Sequence, residues 1–247
     1  MIRIVQADCR EALKGMQAEG VDLIIWDPPF NLGKKYDGYD DNATADDHDT
    51  LLTTVAAELL RLLKVGGSAY VFCSTQMLWP LRPLVERVGW TFQDLLIWYG
   101  PNGFSNRAKT RWAPLFEPIF HLAKGSADTM VRVAEGKLVG AWYHAVLTIP
   151  RPQSNFAGDQ HRVHPTQKPV KLYGNLLRQH YPGVVLDPMA GSCTTALAAK
   201  ALGWDCICIE QSKKYCELGR KRLAEFDGGL FDRPRTADAG LFAEVTE

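Results

Sequence analysis

Asp27-Pro28-Pro29-Phe30 follows directly on the apolar run "VDLIIW". Proline has no N–H to give to a sheet ladder, so two in succession end a central strand. What stands at that strand end is an acid and an aromatic ring on a backbone whose φ angles are locked at two positions. A carboxylate held rigidly beside a flat ring is a candidate reaction centre.

A second stretch, "VVLDPMAGSCTTALAA" (184–199), has a different chemistry. A strand leads into Asp187, then a turn of small residues, then an alanine-rich helix. Gly191 permits close approach of backbone to a ligand. Thr194 and Thr195 fall in the first helical turn, where N–H groups are unpaired and point outward. About twenty residues on, the next strand ends in Glu210, a place where a carboxylate commonly holds a ribose diol. The combination reads as a nucleoside-cofactor pocket, against the alternative of a tight turn with no ligand.

The elements that must position these groups alternate. Strands are expected at 21–27, 68–74, 91–99, 183–187 and 204–210, helices at 47–67, 76–90, 168–181 and 212–226, and a loop and helix at 191–203. Gly66-Gly67 is expected to stop the helix over 47–67, and Ser212 to cap the last one. Residues 115–123 read as a strand that Pro118 consigns to an irregular or edge position. The alternation predicts an open α/β sheet, mostly parallel, with helices on both faces. Residues 100–165 break the pattern and read as an irregular insertion at the carboxyl edge of the sheet, where such folds bind ligands. Residues 1–226 are then one domain, and 227–247 an appendage.

Composition narrows the classes. With 247 residues, 46% hydrophobic, the chain is ordinary for a globular protein. No apolar run reaches the roughly 18 residues of a membrane span, and the N-terminus lacks the apolar core of a signal peptide, so a cytoplasmic protein is expected. Lys and Arg total 28 and Asp and Glu 28, which is not the bulk signature of a nucleic-acid binder. Local runs differ: 102–112 and 161–171 are basic, and 37–49 is acidic. None of the six cysteines forms a CxxC pair, and Cys206 and Cys208 fall on one face of a strand. They read as buried thiols, and His161 with His164 lacks a second ligand pair, so no metal site is assigned.

Taken together, the motifs resemble those of the S-adenosylmethionine-dependent DNA amino-methyltransferases, in the permuted group that carries the catalytic motif ahead of the cofactor motif. Asp27-Pro28-Pro29-Phe30 matches the family's D-P-P-Y/F/W. "DPMAGSCTT" is similar to its D-P-F-x-G-S-G-T-T, "HPTQKP" (164–169) to the segment preceding it, and "ADC" (7–9) to an N-terminal "GDC". "LIWYGPNGF" (96–104) with Glu117 resembles a further family stretch, so the likeness spans about residues 4–225.

The resemblance implies a Rossmann-like methyltransferase fold, with S-adenosylmethionine as cofactor and double-stranded DNA as partner. It implies that Asp27 and the Pro28 carbonyl accept the N–H bonds of an exocyclic amine, returning electron density to a delocalised nitrogen. Phe30 would stack on a base turned out of the duplex. Asp187, Met189, Gly191, Cys193, Thr194, Thr195 and Glu210 would surround the cofactor, Asp8 would meet its adenine, and Lys168 would sit nearby. Two departures stand out: Met189 replaces a Phe, and Cys193 replaces a Gly and puts a Cβ where backbone would approach the ligand.

The insertion is the natural target-recognition region. Asn102, Asn106, Arg107, Lys109, Arg111 and Arg151 are residue types that read base edges or phosphates, or that sit equally well on an oligomer surface. Asp at the head of the motif favours N6 of adenine within the family, with N4 of cytosine as the alternative. A nonenzymatic DNA-binding protein with a decayed cofactor site is the rival reading, motivated by Cys193. A homodimer is expected from the small recognition insertion.

Overall fold

The computed structural model describes residues 1–33, 35–36, 39–103, 112, 114–127, 144–153, 164 and 166–228. Eight strands form one sheet. Along the chain they are β1 (Ile2–Gln6), β2 (Val21–Trp26), β5 (Leu63–Phe72), β6 (Thr91–Tyr99), β7 (Phe116–Ala123), β8 (Val146–Thr148), β9 (Val184–Asp187) and β10 (Asp205–Glu210). Two short strands between them, β3 (Lys35–Tyr36) and β4 (Tyr39–Asp40), pair with each other. The sheet order is β1-β10-β9-β2-β5-β7-β6-β8. β7 runs antiparallel to both neighbours, and the other pairs are parallel. This is the mostly parallel, Rossmann-like sheet expected.

Helices α1 (Cys9–Lys14), α2 (Ala45–Leu62) and α3 (Leu78–Val88) cover one face. α4 (Val170–Leu177), α5 (Thr194–Leu202) and the end of α6 (Lys213–Glu225) cover the other. β2 shows why its sequence is a continuous apolar run: Ile24 and Trp26 enter the first core, Leu23 and Ile25 the second, and all four are buried. Ser212 caps α6 as expected, its hydroxyl accepting from Tyr215 N.

Three expectations are corrected. First, α2 ends at Leu62, and Gly66-Gly67 lies inside β5 rather than after a helix. Gly66 has φ +80°, and the pairing of β5 with β2 slips between Val21 and Leu23, so the glycines serve a strand irregularity. Second, β7 is an inner strand despite Pro118. Pro118 sits where the β5 ladder ends: its carbonyl still accepts from Cys73 N, and only the reciprocal bond is forfeited. Third, the range 100–165 is not one irregular insertion, because β7 and β8 belong to the main sheet. β1 and α1, to which the sequence gives no clear signal, complete the edge. Of the tail, 229–247 lies outside the described residues.

Candidate active site

A cavity of about 340 Å³ opens at the carboxyl ends of β1, β10, β9 and β2, four consecutive strands of the sheet. β2 delivers Asp27 to Phe30, β1 delivers Asp8, the turn after β9 delivers Met189 and Gly191, and β10 delivers Glu210. Thr194 and Lys168 also line its wall. The two motifs, far apart in sequence, therefore face one space.

On one side the cavity is built around a clipped carboxylate. Gly191 N donates to Glu210 Oε2 at 2.8 Å and Ser212 N to Oε1 at 2.7 Å, which fixes the orientation of Glu210. Gly191 has φ +49°, and a Cβ there would lie 3.4 Å from the His164 ring. Glycine is thus favoured by its left-handed backbone, while the imidazole beside it would be in ordinary contact with a Cβ. His164 packs edge-on against Tyr215, ring centroids 4.3 Å apart, and both line the cavity. Asp8 caps α1 by accepting from Arg10 N at 2.8 Å, and the Arg10 guanidinium beside it holds its carboxyl below the usual range.

Asp187, Thr195 and Cys193 do not line this cavity, contrary to expectation. They build the turn from behind. Thr195 Oγ1 donates to Asp187 Oδ2 at 2.5 Å, and Met189 N to Oδ1 at 3.2 Å. Burial pushes the Asp187 carboxyl up to about 7, against the pull of those two hydrogen bonds. Cys193 takes the left-handed backbone (φ +56°) that a glycine would adopt freely. Its side chain is fully buried and points toward α6, where Gly219 leaves room for it. The feared Cβ therefore does not intrude on the ligand space.

On the other side lies a chain of alternating charges. Lys168 Nζ donates to Asp27 Oδ2 at 2.5 Å and lies 3.3 Å from Glu117 Oε2; Arg151 Nη1 donates to Glu117 Oε1 at 2.6 Å. Lys168 is buried. Burial alone would lower its pKa, but Asp27 and Glu117 more than offset that and raise it. Glu117 is likewise pushed up by burial, yet Lys168 and Arg151 bring it below its ordinary value. Lys168 lines the cavity, and its ammonium is committed to the Asp27 carboxylate.

The backbone after Asp27 is held by the segment 41–48 that runs into α2. His48 Nε2 lies 2.9 Å from the Pro29 carbonyl, and Asp41 accepts from Asn31 N and Leu32 N. These contacts, with Arg10, Tyr215 and the Glu117 ion pairs, are the parts of the site that sequence reasoning missed. The "HPTQKP" segment was the one signal that pointed toward His164.

Of the recognition candidates, Asn106, Arg107, Lys109 and Arg111 lie outside the described residues. Asn102 and Arg151 do not stand out as free readers of DNA. Asn102 Nδ2 donates to the Arg151 carbonyl at 2.9 Å and its Oδ1 accepts from Arg151 N at 2.7 Å. The Arg151 guanidinium stacks 4.4 Å over Trp98 while pairing with Glu117. Among the described residues, no group of three or more His, Cys, Asp or Glu side chains is placed to hold a metal ion. No helix among them is long and apolar enough to cross a membrane.

A mostly parallel sheet with one reversed strand, a ligand cavity at its carboxyl edge and Asp-Pro-Pro-Phe in the cavity wall define a methyltransferase of the amino-modifying class. The chain belongs to the N6/N4 DNA methylase family, whose model matches residues 21–221. It is 32% identical over 243 residues to the DNA adenine methyltransferase YhdJ of Escherichia coli (strain K12), covering 89% of this chain and 82% of that protein. It is 28% identical to the type II methyltransferase M.HpaI of Haemophilus parainfluenzae, covering 92% and 76%. Among solved structures, the M1.HpyAVI–SAM complex superposes with a TM-score of 0.70 at 26% identity, covering 90% of this chain and 99% of that one.

Proposed function

We propose that this chain is a cytoplasmic enzyme that transfers a methyl group from S-adenosylmethionine to N6 of an adenine turned out of double-stranded DNA. The observation that carries the reading is the single cavity shared by Asp27-Pro28-Pro29-Phe30 and the Gly191–Glu210 turn. Its size falls in the range of about 300–1,000 Å³ that small-ligand sites use. The choice of adenine follows the relative named as a DNA adenine methyltransferase and the Asp at the head of the motif.

The residues present fit the cofactor. Glu210, its carboxylate aimed by two backbone N–H groups, suits a ribose diol; Met189 and Ile209 offer an apolar wall for a nucleobase, with Asp8 at its edge. Gly191 and Thr194 border the same space, and Asp187, Thr195 and Cys193 support it without touching it. When bound, S-adenosylmethionine supplies an electrophilic sulfonium methyl group. Asp27 and the Pro28 carbonyl accept the N–H bonds of the adenine amine and so free its lone pair for attack. The two proline rings fix these acceptors in advance, and Phe30 stacks on the base. Residues 1–226 act as one catalytic unit.

Cys193 was the ground for a decayed cofactor site, and its orientation toward Gly219 removes that ground. Pairing of two copies on DNA is the corresponding proposal for how a short recognition segment engages its site; a monomeric mass for the DNA complex in light scattering would refute it. The reaction is tested by transfer from labelled S-adenosylmethionine to unmethylated genomic DNA, followed by nucleoside mass spectrometry. N6-methyladenine supports the proposal. N4-methylcytosine would keep the mechanism and move the base. No methylated nucleoside from protein that binds the cofactor would overturn it.

A further inference from the structure

We infer that His48 is a positioning residue that fixes the backbone from which the Phe30 ring projects. The inference rests on the reading of Asp27-Pro28-Pro29-Phe30 as the catalytic motif. His48 does not line the cavity, so it acts through the backbone it holds.

The backbone of the motif has few free rotations. The proline rings lock φ at 28 and 29. The backbone rotations left between Asp27 and Phe30 are ψ at 27, 28 and 29, and φ at 30, to which the two side chains add their own χ angles. His48 Nε2 lies 2.9 Å from the Pro29 carbonyl, and that oxygen only accepts, so Nε2 carries the hydrogen. The bond restrains ψ at 29, the last rotation before Phe30. On the far side, Asn31 N and Leu32 N donate to the two oxygens of Asp41 at 2.8 and 3.0 Å, with Asp41 itself buried. Asn31 also exchanges two side-chain bonds with the Ala43 backbone, at 3.0 and 2.9 Å. Thr44 caps α2 immediately afterwards, and His48 lies in its first turns. The segment 41–48, which runs into α2, therefore grips the motif on both sides of Phe30, and His48 is the grip on the catalytic side.

The test compares His48→Leu, His48→Asn and His48→Gln by kcat and KM on genomic DNA, S-adenosylmethionine affinity by calorimetry, and thermal midpoint. The Gln amide nitrogen occupies the place of Nε2, whereas Asn is one methylene short. Leu and Asn should lower kcat roughly tenfold, the worth of one well-placed hydrogen bond, with cofactor affinity unchanged. Gln should rescue kcat to within about threefold of wild type. Full kcat in His48→Leu, a loss confined to thermal stability, or a Gln variant as slow as Leu would overturn the inference. Absence of methylation by the wild type itself would instead bring down the reading of the motif, and this inference with it.

Discussion

Lys168 Nζ sits 2.5 Å from Asp27 Oδ2, and the lysine side chain is only 5% exposed. The same ammonium lies 3.3 Å from Glu117, so it neutralises two carboxylates packed at the end of the sheet. Lys168→Met leaves both without their shared cation. Breaking a buried pair by removing one partner costs roughly 3–5 kcal/mol, and about 3 is expected here because Asp27 borders the cavity. The sign with pH follows from the shifts. Glu117 is held below its ordinary value of 4.5, so its contribution is present above that pH and fades as pH falls through the lowered value. Lys168 is raised above 10.5, so its contribution is present below that pH and fades as pH rises through the raised value. In Lys168→Met, Glu117 keeps Arg151, while both carboxylates, no longer sharing the lysine, take up protons more readily. The deficit in thermal midpoint relative to wild type should therefore shrink from pH 7 to pH 5, and a deficit independent of pH would contradict this account.

Asp27 should be indispensable to turnover and dispensable to cofactor binding, because it lies across the cavity from the Glu210 carboxylate's backbone clip. Asp27→Ala removes an acceptor for the substrate amine and should lower the transfer rate by at least about a hundredfold. Asp27→Asn keeps one acceptor oxygen and should fall between the two. Cofactor affinity by calorimetry should stay within about threefold in both. Retained turnover in Asp27→Ala would refute the role given to this carboxylate.

What was legible in the sequence and what was not follows the range of the interaction. β2 was readable because its apolar run records burial, and the Ser212 cap because capping is a matter of three residues. The strand-end motifs were readable for the same reason, since a turn and its chemistry share a few positions. β1 was not, because its alternating, half-exposed residues carry little apolar signal. The inner place of β7 was not, because Pro118 is a local warning while sheet order is set by distant partners. The Lys168–Asp27 bond spans 141 positions, and nothing in either neighbourhood announces the other. By residue type alone Arg151 counts among the DNA readers, yet its charge is answered by Glu117 inside the protein.

Cys193 and Gly219 should behave as a coupled pair. A Cβ on Gly219 would lie 2.5 Å from Cys193 Sγ and 2.8 Å from its Cβ, closer than atoms can approach. Gly219→Ala should therefore destabilise the protein by about 1–3 kcal/mol through overpacking, even though alanine favours a helix interior. Cys193→Gly removes that obstacle and suits the left-handed backbone at 193. In the double variant the cost of Gly219→Ala should drop, with an interaction energy on the order of 1 kcal/mol in a thermodynamic cycle. Additive effects would show that the two positions do not share this space. Cofactor affinity should hardly change in Cys193→Gly, because the thiol lies outside the cavity.

Asp187 should make stability fall as pH rises. Its folded value of about 7 stands above the ordinary 3.8, so between those limits the folded state binds more protons than the unfolded one. By linkage that difference lowers unfolding free energy with increasing pH, and the cost is complete above about pH 7. Asp187→Asn carries no charge at any pH and keeps one oxygen to accept from Met189 N, while the Thr195 hydroxyl can turn to accept from the new amide. Relative to wild type, the variant should gain thermal stability from pH 5 to pH 8. The two pH profiles running parallel would mean that Asp187 stays ionised throughout, and that Thr195 and the turn stabilise its charge more strongly than burial opposes it.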